Sequence, residues 1–148
     1  MNEHNRLRVE RLAARYDQRT RATLAPDEAD FLGAFAALAA RVLRPQMEEV
    51  AALLREAGHQ SRILIDEGHS KPSIELALGL RGGTGSRNVV GFSVIRWSGY
   101  PLQILAYLEI SPPPFDLERF TRADDIHPDH VEQLLVDAVE QMLSVNAP

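Results

Sequence analysis

Between Ser61 and Ile110, large apolar side chains recur at every second position in four runs, separated by short segments of Gly, Pro, Ser and Asn. Strict alternation marks a half-buried strand, because successive side chains on a strand point to opposite sides. The runs predict strands over 62–66 (Ile63, Ile65), 73–80 (Ile74, Leu76, Leu78, Leu80), 89–97 (Val90, Phe92, Val94) and 102–110 (Leu102, Ile104, Ala106, Leu108, Ile110). The connections 68–72, 82–88 and 98–101 are too short for crossover helices. The expected sheet is therefore a four-stranded antiparallel meander, ordered as in the chain.

Helical spacing flanks this ribbon on both sides. Pro26 followed by Asp27 and Glu28 suits a helix start on steric and dipole grounds. Leu32, Phe35, Ala39, Val42 and Leu43, then Met47, Val50, Leu53, Leu54 and Ala57, continue one apolar stripe as far as Gly58. Pro45 lies inside that stripe and predicts a kink near Arg44, since it lacks an N–H and its ring crowds the preceding turn. A helix of about 30 residues would extend about 45 Å.

Residues 3–22 offer only Leu7, Val9, Leu12, Ala13 and Tyr16 as apolar marks. A helix that thin must pack on a neighbour or fray, so a helical hairpin with the long helix is expected. At the other end Val131, Leu134, Leu135, Ala138, Val139, Met142 and Leu143 define an amphipathic helix beginning at His127-Pro128-Asp129. It should cover the large-residue face of the sheet. Pro112, Pro113 and Pro114 end the fourth strand, and 115–126 is expected to be irregular, anchored by Phe115, Leu117 and Phe120. The fold class expected is α+β, with 1–148 as a single domain and 1–25 as a protruding or oligomerising helix.

Composition narrows the chemistry. The chain of 148 residues has no cysteine, which excludes disulfides, thiolate catalysis and cysteine-ligated metals. The first residues mix acids with short apolar stretches, unlike a signal peptide, and no apolar run approaches the roughly 20 residues that cross a bilayer. A cytoplasmic location is the expectation. Lys71 is the single lysine among 16 cationic residues, and alanine is abundant; this is the usage of a GC-rich bacterial genome. Six arginines against Glu3, Glu10 and Asp17 give residues 1–25 a charge of +3, whereas 111–148 carry −6. Opposite ends of opposite sign can attract within a chain or between antiparallel copies. The overall charge of −5 argues against nucleic acid, which demands a basic footprint.

The second face of the sheet is the main functional candidate. It collects Leu64, Ala77, Gly91, Ser93, Ile95, Leu105 and Tyr107, with Trp97 near its edge and only Arg62, Glu75, Gln103 and Glu109 as polar members. Solvated sheet faces are normally richer in charge. Leu64, Ile95, Trp97, Leu105 and Tyr107 are thus expected contact residues. Gly33 and Ala37, small and four apart, are expected to let another helix approach closely.

Asp124, His127 and His130 form a candidate oxygen and nitrogen metal site, against the plainer role of helix capping. The segment 82–86, flanked by Arg81 and Arg87, matches no phosphate-binding fingerprint and reads as a hairpin loop. Asp66 and Glu67 precede His69, but adjacent strand residues point to opposite faces, so a solvated turn is expected. The reading is a non-enzymatic bacterial protein-interaction module acting as a homo-oligomer, with no cofactor, nucleic acid or membrane partner. The alternative is a small-molecule or metal-binding protein, possible enzymes included, with its site between the second face and the helices and with Tyr107, Trp97, Arg96 or the two C-terminal histidines contributing.

Overall fold

Pro45 shapes the longest helical stretch. In the computed structural model, which describes residues 1–22, 26–67, 70–82, 87–97, 99–110 and 114–147, α2 (Pro26–Leu38) runs into a π-helical turn, Ala39–Leu43, and then into α3 (Arg44–Glu56). The Arg44 N–H bonds to the Ala39 carbonyl, five residues back. This wider turn sits where Pro45 would otherwise leave a carbonyl unpaired and crowd the preceding backbone. It also keeps the helix in phase with the core. Phe35 and Leu38 are buried, then Leu43, Met47, Ala51 and Leu54, and the step of five from Leu38 to Leu43 leaves Arg41 in solvent.

The sheet is an antiparallel meander of five strands: β1 (Gln60–Asp66), β2 (Ser73–Gly79), β3 (Asn88–Ile95), β4 (Gln103–Glu109) and β5 (Phe115–Phe120). The four expected strands are present in the expected order. The fifth corrects the irregular segment expected over 115–126. Its pairing with β4 shifts between Ala106 and Tyr107, so that Leu117 has no partner opposite, and the bulge destroys the alternation by which a strand is recognised.

Ile74, Leu76 and Leu78 of β2, Val90, Phe92 and Val94 of β3, and Ile104, Ala106 and Leu108 of β4 form one buried face. Their neighbours in the core are Leu43, Met47 and Leu54 of the long helix and Val131, Leu135, Ala138 and Met142 of α4 (Pro128–Asn146). The i, i+4, i+7, i+11 spacing of α4 is the one its sequence predicts. Gln46 donates to the Pro128 carbonyl (3.3 Å), and Asn146 donates to the side chain of Asn88 at the start of β3 (3.0 Å). These two bonds tie α4 to α3 at one end and to the sheet at the other. Arg96, just past β3, lies 2.9 Å from Glu28 and anchors the start of α2.

The helical hairpin needs correction. Residues 3–15 of α1 (Glu3–Ala22) are exposed, Leu7, Val9 and Leu12 among them. Val9 and Leu12, three apart, share one side of the helix, yet each is 54% exposed, so this stretch is not buried against α2; two apolar side chains among arginines and glutamates make too thin a stripe to hold it there. The turn at Leu24 and Ala25, the side chain of Tyr16, Gly68 and His69, Gly83–Ser86, Ser98, and Pro112 with Pro113 lie outside the described residues. Among the described residues, no helix is long and apolar enough to cross a membrane.

Candidate functional site: the open face of the sheet

Since α2, α3 and α4 all pack on the Leu76–Phe92–Ala106 face, the opposite face carries none of them. Strand register places its residues in rows. Leu64, Glu75, Gly91, Tyr107 and Asp116 stand side by side across all five strands, and Arg62, Ala77, Val89 and Glu109 form the adjoining row.

The central row holds a bridge. Glu75 is on β2 and Tyr107 on β4, with β3 between them, and the Tyr107 hydroxyl nevertheless donates to the Glu75 carboxylate. Gly91 makes this possible. A Cβ there would stand 2.7 Å from the phenolic oxygen and 2.9 Å from Cγ of Glu75, inside any normal contact distance, so only glycine lets the phenol lie across the strand. Burial first, then the hydrogen bond and negative charge of Glu75, push the Tyr107 phenol well above its ordinary value. It is a fixed donor at neutral pH and not a base.

Arg87 completes the cover. Its guanidinium lies 3.4 Å from Glu75 and 3.5 Å from Glu109, on either side of β3, and Val89 between them is 1% exposed. At the other end Arg119 of β5 stacks 4.5 Å from the centre of the Trp97 ring and is held by Asp116 at 2.7 Å.

The face is thus less short of charge than its own strands suggest. The loop residue Arg87 and the β5 residues Asp116 and Arg119 supply what the first four strands lack. Gly91 was the available signal in sequence, a glycine inside an otherwise bulky strand. The need for Arg119 could not be seen without β5.

The predicted contact residues divide by exposure. Leu64 and Trp97 are 37% and 52% exposed, while Ile95, Leu105 and Tyr107 are half-buried. Gly33 and Ala37 are exposed, and nothing lies within 4 Å of a Cβ built on Gly33; among the described residues the expected close helix contact is not made. The space for a ligand between the second face and the helices is also lacking among the described residues, because the helices lie on the other side. What the open face offers instead is a shallow depression of about 440 Å³ over Ala77, Gly79 and Val89, bounded by Gln60, Arg62 and Arg87.

The residues proposed for a metal are not brought together. His130 pairs with Glu118 and meets Phe120 edge-on, Asp124 pairs with Arg122 at 3.3 Å, and His127 precedes α4 without capping it. Among the described residues, no group of three His, Asp or Glu side chains could hold a metal ion. No protein-family model, no curated protein and no solved structure matches this chain.

Proposed function

We propose that this chain is a bacterial protein-interaction module rather than an enzyme, that it works as a homo-oligomer, and that the open side of its sheet is the contact region. One observation carries the reading. Three helices cover one face of the sheet and, among the described residues, none covers the other, where Trp97 is exposed next to half-buried Ile95 and Leu105 and Leu64 is exposed on the outer strand β1. Exposed apolar side chains grouped on one face mark protein contacts more often than ligand sites, and a tryptophan stacked with an arginine is the kind of anchor that dominates interface energetics.

The polar bridge over the centre of the face fits this reading. Glu75, Tyr107, Arg87 and Glu109 satisfy one another, so a partner settling on the face meets paired groups instead of bare charges. The bacterial assignment is supported by arginine and alanine usage alone.

Sedimentation velocity over a dilution series tests the proposal. The reading expects a mass above that of the 16.5 kDa chain, falling on dilution. A monomer at every concentration into the high micromolar range would contradict it.

A further inference from the structure

The two edges of the sheet are built differently. β5 carries the features that keep an edge from pairing: a register shift at Leu117, the charges of Asp116, Glu118 and Arg119, and Pro114 immediately before it. β1 lacks the register shift and the proline, and its two charges, Arg62 and Asp66, are of opposite sign. Its seven residues pair with β2 in unbroken register, contain neither proline nor glycine, and among the described residues have no strand on their outer side. Leu64 and Ile65 are exposed on this edge. At the Ser61 end the carbonyl already accepts two hydrogen bonds from the Arg55 guanidinium, at 3.0 and 3.3 Å. The edge backbone beyond that point is 62–66.

That stretch reads Arg62-Ile63-Leu64-Ile65-Asp66 and is complementary to itself turned end for end. We infer that a second copy of this chain pairs with β1 in antiparallel register centred on Leu64, an inference that rests on the reading of the chain as a homo-oligomer. In this register Leu64 stands opposite the partner's Leu64. Arg62 stands opposite the partner's Asp66, and Asp66 opposite the partner's Arg62, all on the open face. On the helical face Ile63 meets the partner's Ile65, and the two-fold axis repeats the contact.

No neighbouring register does as well. A slip of two residues sets a charge against leucine, and a slip of one turns one sheet over relative to the other. Beside this edge, on the helical side, a cleft of about 130 Å³ is bounded by Ile65, Ala36 and Ala40. These small, exposed helix residues leave room for a second copy. Joined in this way, two sheets make one continuous ten-stranded sheet whose open faces lie on the same side.

The chain has no cysteine, so Leu64→Cys introduces a single thiol. Under mild oxidation Leu64→Cys is expected to form a covalent dimer far faster than the controls Ile65→Cys and Leu53→Cys, which are exposed but not opposite their own copies. Arg62→Asp and Asp66→Arg should each raise the dissociation constant about tenfold, because like charges then face each other twice. The double variant Arg62→Asp/Asp66→Arg should regain the original affinity.

All these positions are exposed, and circular dichroism will show that the variants remain folded. A wild type that sediments as a monomer overturns this inference and the proposed function together, and a foreign strand binding to that monomer would not restore either. An oligomeric wild type that ignores the charge reversals, or whose double variant is not rescued, overturns the β1 contact alone.

Discussion

Tyr107 reaches over Gly91 to donate its phenolic hydrogen to Glu75, joining β2 to β4 across the strand that separates them. The three residues form one row, and each is needed for the others to fit. Gly91→Ala forces the bridge apart, because the new methyl would lie 2.8 Å from Cζ of Tyr107. It should cost about 1–3 kcal/mol, as overpacking does. In a Tyr107→Ala background the same substitution should cost clearly less, a coupling that urea denaturation of the double-mutant cycle measures directly.

The bridge also makes stability depend on alkaline pH. The unfolded phenol loses its proton near pH 10, whereas the native one, held by burial and Glu75, keeps it to higher pH. Above pH 10 the unfolded state therefore binds fewer protons than the native state, and stability falls as pH rises, by at most about 1.4 kcal/mol per pH unit from this group. Tyr107→Phe should be less stable than wild type at pH 7 by about 1–2 kcal/mol, through the lost hydrogen bond to a charged group, and should show a flatter decline above pH 10. Equal slopes for the two proteins would show that the phenol titrates normally.

The π turn between α2 and α3 makes a different kind of prediction. If the five-residue step from Leu38 to Leu43 serves only to pass Pro45 and keep the phase of the core, then deleting exposed Ala40 together with Pro45→Ala should convert the turn to ordinary α-helix. Leu38 and Leu43 would then be four apart, still on one face. That variant should stay within about 1–2 kcal/mol of wild type, because neither residue is buried. Deleting Glu48 instead rotates Ala51 and Leu54 away from the core and should cost several times more. Thermal melts followed by circular dichroism distinguish the two.

Much of this architecture is legible in the chain because period and burial agree. β2 and β4 alternate without fault, α4 repeats at helical spacing, and in each case one face is buried as the pattern implies. The features that escaped are places where a local rule is broken. β5 is disguised by its bulge at Leu117, and the kink near Pro45 takes the form of a π turn because the core phase on both sides had to be preserved. The open face was legible as a list of residues but not as an arrangement. Arg87 comes from a loop and Arg119 from the unrecognised strand, so neither could be assigned to that face until the register was known. The metal candidates failed for a geometric reason, since His130 turns toward Glu118 on β5.

Hydrogen–deuterium exchange at high and low protein concentration, read peptide by peptide, tests the self-association account most directly, because it reports both that copies meet and where. The account predicts that amides in 60–66 exchange more slowly in concentrated protein, while those of α1 and of β5 exchange alike at both concentrations. Exchange independent of concentration along the whole chain would contradict it.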